Sequence, residues 1–371
     1  MIGVGLFGVF ALAAIWGGYP LAVRALGGLR RKRDGDGAAR PAVSVILASS
    51  DDAAAIRARV DDLLATSYPP HLVEVIVGLD SVRGKATPQD LDGLDPRVTV
   101  VAGDAAGGKA ANLNAAVRQA RNEILVFADT AQRFQADAIP ALVAEFGNPR
   151  FGAVSGMLDL PGSGGSRNLA EHYWRYERWL RRWEARLHSS VGVTGAIYAM
   201  RKALWQPLPT GLILDDLFLP MRLALDGWRI GFTELAQAHD IRRFAAGQEY
   251  RRKVRTLTGV IQVCAWLPGI LNPVRNPIWL QFVFHKLLRL VTPYLAALVA
   301  VSGIWIAVSA IASSPIGMPA LYASAAVLLL LCLVPHVRRA LRAQITWGLA
   351  MQSSIVVATV NGVRGRWDVW Q

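Results

Sequence analysis

Residues 2–26 read IGVGLFGVFALAAIWGGYPLAVRAL, with Arg24 as the only charge. In hydrocarbon such a run can satisfy its backbone only as a helix, and about twenty apolar residues are enough to cross. No positive charge precedes it and no A-x-A site follows cleanly, so it reads as a retained anchor rather than a removed signal peptide. Arg30, Arg31, Lys32 and Arg33 come directly after it. The positive-inside rule assigns them, and the chain up to about residue 285, to the cytoplasm. A second apolar block begins near Leu287. Within it, 291–312 and 318–334 read as spans separated by the polar turn SSPIG, and Arg338, Arg339 and Arg342 mark the cytoplasmic side again. The weaker segment 345–360 holds Gln352, Ser353, Ser354 and Thr359 between basic flanks, so it reads as a re-entrant or interfacial helix. The expectation is three crossings, an outside N-terminus and a cytoplasmic C-terminus, in a multi-pass protein of the inner cell membrane.

The 53% hydrophobic content is therefore concentrated at the two ends of the 371 residues. The net charge of +13 lies beside the membrane segments, which argues for anionic lipid or a phosphorylated substrate and against nucleic acid. Cys264 and Cys332 stand in apolar surroundings far apart, as packed thiols with neither a disulfide nor a metal site.

Between the blocks, residues 41–160 alternate strand and helix signals. AVSVILAS (42–49), VEVIVGLD (73–80), RVTVVAGD and EILVFAD (123–129) are short β-rich runs. AAAIRARVDDLLATS (53–67) and GKAANLNAAVRQAR (108–121) have helical spacing. Short connections make this a doubly wound parallel α/β sheet. Ligands bind such sheets at the carboxyl ends of the strands, where Asp80 and Asp129 stand. Either is also an ordinary turn or cap residue. No G-x-G-x-x-G follows the first strand, which excludes a dinucleotide site of that type. PGSGGS (161–166) reads as a loop. Asp215 and Asp216 lie in the apolar run TGLILDDLFLPMRLALDGW, where burial of carboxylates is costly unless something pairs with them or uses them. A helix N-cap accounts for one of them, not both. EHYWRYERWLRRWEARLH (171–188) places Trp174, Trp179 and Trp183 among arginines. It reads as an interfacial amphipathic helix or a surface for stacking sugars. Leu257–Phe282, broken by Pro268, Pro273 and Pro277, reads as further interfacial pieces.

Four stretches, VEVIVGLDSV, GGKAANLNAA, ILVFADTAQRF and GLILDDLFLPMRLALDGWRIGF, together resemble the membrane-bound family 2 glycosyltransferases of GT-A (Rossmann-like) fold, the group of hyaluronan, chitin-oligosaccharide, cellulose and poly-N-acetylglucosamine synthases. The resemblance runs from about Pro41 to Arg289. It implies inverting transfer from a nucleotide sugar, expected to be UDP-linked, to a polysaccharide or glycolipid acceptor. Asp80 would hold the base or ribose, Lys109 the donor phosphates, and Asp129, the first acid of D-x-D, a Mg²⁺ or Mn²⁺ ion. Asp216 would be the catalytic base with Asp215 beside it. Arg255 stands where polymerising members carry the arginine of Q-x-x-R-W, and would neutralise diphosphate. VGVTGAIYAMRKALW would line the acceptor site around Thr194 and Gly195. Ala131 replaces the second acid of D-x-D, so a second metal ligand is expected from His239 or the adjacent Asp240. Thr256 replaces the tryptophan of Q-x-x-R-W, so short or single additions are expected unless Trp183 or Trp266 supplies the aromatic platform, or a homo-oligomer or export partner completes a channel. Single transfer to a lipid acceptor (ceramide, diacylglycerol or polyprenyl phosphate) and a non-catalytic subunit of an export complex are the other readings. The expected organisation is an anchor (1–28), a cytosolic catalytic domain (41–256), interfacial helices (257–284) and a C-terminal membrane region (285–371).

Overall fold

A computed structural model describes residues 1–30, 40–104, 106–159, 167–242, 246–313 and 334–368. Arg31 to Arg33, the 161–166 loop and the 318–334 span up to residue 333, with Cys332, lie outside the described residues.

The chain opens with helix α1, Ile2–Gly28. It then lays down β1 (Val43–Ser49), α2 (Ala53–Leu64), β2 (Val73–Leu79), β3 (Val98–Ala102), α3 (Gly108–Gln119) and β4 (Ile124–Ala128). β1 pairs in parallel with β2 and β4, and β2 with β3. β1, β2 and β4 are almost wholly buried apolar runs, as strands covered on both faces must be. Alternation along β1 sends Val43, Val45 and Leu47 to the face covered by Ile56, Val60 and Leu63 of α2. Ile46 goes to the other face, under Leu113, Ala116 and Val117 of α3.

The later strands depart from a parallel sheet. β5 (Gln132–Phe134), α4 (Ala138–Ala144), β6 (Phe151–Asp159), α5 (Arg167–Leu187), β7 (Ile197–Arg201), α6 (Asp215–Leu225) and β8 (Arg229–Asp240) follow. The sheet order is β3-β2-β1-β4-β7-β6-β8-β5, and β7 runs antiparallel to both β4 and β6. The doubly wound expectation therefore holds for β1 to β4, and the whole sheet is mixed. The physical reason is α5. Besides touching β8 near the sheet's edge it lies along α1, where Trp183 packs on the bare backbone of Gly27.

Among the described residues, three further long helices follow: α7 (Ala246–Trp266), α8 (Trp279–Ser313) and α9 (Pro335–Val363). Among the described residues, α1 and α8 are long and apolar enough to cross a membrane. They pack on each other through Gly5 and Gly8, where an added Cβ would come within 2.8 Å of Ser302 Cβ and 2.7 Å of Val299 Cγ2. The chain leaves helix after Trp266, where the prolines stood, but Leu257–Trp266 is not a separate interfacial piece. It is the second half of α7, which runs unbroken across the expected boundary at 256/257 because Val260 and Val263 belong to the core. α9 is likewise one continuous helix rather than a segment that turns back, held to α7 by Gly362 against Ile261.

Charged groups hold α5 between the two long helices. The Tyr19 hydroxyl of α1 donates to Glu184 at 2.5 Å. His285 of α8 meets Glu184 with Nδ1 at 2.8 Å and Glu177 with Nε2 at 2.9 Å, and Arg289 pairs with Glu177.

Arg59 on α2 is fully buried. Its Nε donates to the Asp129 carbonyl at 3.0 Å, it pairs with Asp62, and its guanidinium lies 4.3 Å from the centre of the Phe134 ring. Removing one partner of a buried pair costs about 3–5 kcal/mol. Arg59→Met is accordingly expected to lower the thermal unfolding midpoint of the purified protein by several degrees; an unchanged midpoint would show the pair to be dispensable.

Candidate active site

The carboxyl ends of β1, β2 and β4 open into a cleft of about 2070 Å³ whose lining includes Asp51, Asp80, Asp129, Asp215 and Asp216. Asp80 holds its own surroundings in place. Its carboxylate accepts from the backbone N–H of Val82, Arg83 and Gly108, each at 2.9 Å. Burial opposes ionisation, but these three donors outweigh it and hold the carboxyl below its usual range. The bond to Gly108 fixes the start of α3, which is entered through Gly107 and Gly108 at φ of +65° and +80°.

That entry aims Lys109 into the cleft. Its Nζ lies 3.1 Å from Asp129 Oδ1 and 3.4 Å from Asp215 Oδ2. Burial alone would lower the ammonium's proton affinity; Asp129, Asp215 and Asp216 reverse this and hold it above its ordinary value. Sequence motifs far apart, at the ends of β4, α3 and α6, thus meet at one cation.

Asp215 and Asp216 open α6 and point differently. Asp215 is buried against Lys109. Asp216 faces the cleft, and its carboxyl is pushed up to about 6 by burial and by the charge of Asp215, against the opposing pull of Lys109, Arg181 and Lys286. Behind the pair, Tyr198 on β7 is fully buried, stacked on Phe127 with ring centres 4.4 Å apart. α7 sets the approach to α6: Gln262 accepts from Ile213 N at 2.8 Å and donates to Gly211 O at 3.0 Å, while Gly259 lets the helix close on Leu214. Thr194 and Gly195 sit directly beside Asp216. The Val193 N–H donates to the Asp216 carbonyl at 2.9 Å, and a Cβ on Gly195 would stand 3.2 Å from Asp216 Oδ2. Arg255 and Thr256 of α7 line the same cleft, and Arg255 lies in the field of Asp216, Asp215 and Asp129.

Two expected residues lie elsewhere. His239 does not line the cleft; it is 45% exposed, 3.6 Å from Asp159 and 3.2 Å from Gln135. Successive strand residues face opposite ways, so its neighbour Asp240 takes the cleft side. There Gln132 and Arg242 already hold the Asp240 carboxylate. Trp183 also misses the cleft and packs on Gly27 and Gly28. Arg181 lines the cleft, and two residues further on a helix is about 200° around it. Tyr173, Trp174 and Tyr176 supply the aromatic lining instead. Cys264 is a free thiol, pushed up to about 12 by burial.

Arg59, Tyr198, Arg181 and Lys286 went unread in the sequence. Each is embedded in a segment whose apolar or amphipathic pattern explains its presence without reference to a site.

A divalent cation would find Asp129 here, already in contact with Lys109, while Asp80 and Asp240 are each held by donors of their own. No group of three His, Cys, Asp or Glu among the described residues could hold an ion alone. The donor set suits an ion that takes most of its oxygen ligands from substrate phosphates, as Mg²⁺ and Mn²⁺ do, and does not suit a resident metal.

The structure is similar over 98% of its length to a mannosyltransferase from Pyrobaculum calidifontis, PcManGT, solved with GDP-Man and Mn²⁺, at 22% identity, covering 99% of that chain with a TM-score of 0.71. This likeness concerns the fold. In sequence the chain is 27% identical over 238 residues to the beta-monoglucosyldiacylglycerol synthase of Synechocystis sp., a match covering 56% of this chain. It spans about half of that relative, 48%. The pattern described as glycosyltransferase like family 2 matches residues 41–259, the whole sheet together with α6 and the first part of α7. With the GT-A-like sheet in place and more than half of its length matched, the chain belongs to glycosyltransferase family 2 and is an enzyme of glycosyl transfer.

Proposed function

We propose that the enzyme transfers a sugar, with inversion, from a nucleoside-diphosphate sugar, UDP-linked in the first instance, to a hydroxyl of an acceptor held in the membrane. The observation that carries this reading is the continuity of the cleft. Its lining runs from the strand-end acids past Asp216 to Trp16 of α1 and Thr292 of α8. The Trp16 indole N–H donates to the Thr292 hydroxyl at 3.2 Å, which ties the two long helices at that end of the cleft. An amphiphile whose chains lie along α1 and α8 reaches Asp216 with its headgroup.

The acceptor oxygen attacks the anomeric carbon, its proton passes to Asp216, and the bond from that carbon to the diphosphate oxygen breaks with its electron pair leaving on the diphosphate. Direct displacement inverts the centre. A carboxylate pushed up to about 6 is a better base near neutral pH than an ordinary aspartate. Lys109 and Arg255 offset the charge that develops on the leaving group. Asp129 would hold a divalent cation arriving with the donor, which supplies further neutralisation of the diphosphate. Release of nucleotide by the purified protein in nanodiscs, across a panel of UDP- and GDP-sugars, tests the reading. Release with none of them would overturn it.

Turnover is expected to stop in EDTA and to return with Mn²⁺ or Mg²⁺. Calorimetry should detect cation binding in the presence of the nucleoside diphosphate and little without it. Full turnover in EDTA would remove the cation from the reaction.

Products are expected to carry one or a few sugars. Thr256, at the position of the aromatic platform, turns its hydroxyl back to the Arg252 carbonyl at 2.9 Å and offers no ring for a growing chain to stack on. Gel filtration of labelled product decides: long polymer at early times, with most acceptor untouched, would show processive synthesis.

A further inference from the structure

We propose that Arg181 and Lys286 form a subsite for an anionic phosphate in the acceptor headgroup, so that the acceptor is a lipid bearing a phosphodiester and a free hydroxyl. The inference deepens the proposed function and rests on Asp216 as the base. Both cations line the cleft and both act on Asp216. Lys109 instead contacts Asp129 and Asp215.

The acids of α5 and its neighbours have closer partners than these two cations. Arg178 pairs with Asp159 and Arg182 with Glu234. Glu177 is held by Arg289 and His285, and Glu184 by His285 and the Tyr19 hydroxyl. His285 faces a carboxylate with each ring nitrogen.

Arg181 and Lys286 make no ion pair among the described residues, and Lys286 feels the like charge of Arg181 together with the opposite charge of Glu177 and Glu184 beyond ion-pair distance. Arg181 gives Nη1 to Thr194 Oγ1 at 3.1 Å, but its Nε is buried and makes no hydrogen bond. Lys286 makes neither an ion pair nor a hydrogen bond among the described residues. A buried guanidinium nitrogen with no acceptor on α5, beside an ammonium with no hydrogen bond near the start of the long apolar helix α8, is costly, and the two mark a place where an anion is to be bound. A guanidinium and an ammonium together suit a phosphate. Their position beside Asp216 and Thr194 leaves room for a hydroxyl a few bonds from that phosphate to reach the base. Its proton then goes to Asp216, as in the reaction above.

The test uses the full chain in phosphatidylcholine nanodiscs doped with diacylglycerol, with phosphatidylglycerol or with a polyprenyl monophosphate. Phosphatidylglycerol is expected to be the best acceptor. Lys286→Gln and Arg181→Gln are each expected to raise its KM about tenfold or more, the loss of one charge-assisted hydrogen bond, with donor KM unchanged. Native mass spectrometry should show phosphatidylglycerol retained by the wild type and lost from both variants, a readout that does not depend on turnover. Diacylglycerol used as readily as phosphatidylglycerol, or equal retention by wild type and variants, would overturn the subsite. Preference for the monophosphate, with Asp216→Asn still active on it, would overturn the hydroxyl half, because a phosphate oxygen needs no base. Failure of the proposed function is separable: then no lipid is labelled and no nucleotide is released, whatever the retention shows.

Discussion

Asp216→Asn is expected to lower turnover by at least about a hundredfold, the scale of a general base, while nucleotide affinity stays nearly unchanged. The wild-type rate should rise with pH through about 6, as Asp216 gives up its proton, and the residual rate of the variant should lose that limb. Stability separates this from a folding defect. A carboxyl whose folded proton affinity lies above its unfolded value destabilises the fold once pH passes the unfolded value, and most fully above the folded one. At pH 7 the asparagine variant is therefore expected to unfold no earlier than the wild type. Normal activity in Asp216→Asn would remove the residue from the role; a comparable loss in Asp215→Asn alone would move the role by one position.

Lys109→Met is the second large effect. Its ammonium is in contact with both Asp129 and Asp215, and it opposes the rise in Asp216. Without it Asp129 and Asp215 lose the cation they share, and the developing charge on the leaving diphosphate loses a preorganised partner. The expected loss is about a hundred- to a thousandfold in kcat, the range found when a single such donor is removed. The sign on pH is also set. Removing a positive charge raises Asp216 further, so the acid limb of the rate profile should move above 6. Arginine at 109 should restore part of the rate and bring the limb back toward its place. A methionine variant with an unshifted limb would mean that Lys109 does not act on Asp216.

The acids of the site were largely legible in the sequence, each for a local reason. Asp80 and Asp129 stand at the carboxyl ends of apolar strands, and the pair at 215 and 216 interrupts an apolar run. What was not legible was which way a neighbour points. His239 and Asp240 are adjacent, and the strand pleat alone gives the cleft to the second. Trp183 stands among aromatic residues that do line the cleft, and the helical turn carries it to the backbone of Gly27. The antiparallel entry of β7 left no mark either, since a buried strand reads the same in both directions.

The sequence by itself determined the parallel half of the sheet, the two long apolar helices that flank the catalytic region, and the placement of carboxylates at strand and helix ends. These follow from periodicity, run length and the cost of burying charge, which act within a few residues of chain. Only the tertiary structure decided what those groups are to one another. Lys109 lies between Asp129 and Asp215, separated from the latter by more than a hundred residues. Arg59 grips the Asp129 backbone from another helix. Glu177 and Glu184 are held by His285, Arg289 and Tyr19, while Arg181 and Lys286 form no ion pair among the described residues. Electrostatic matching depends on distance in space, and distances of 3 to 4 Å between remote segments come from how α5, α6 and α8 pack, which no local pattern of residues encodes.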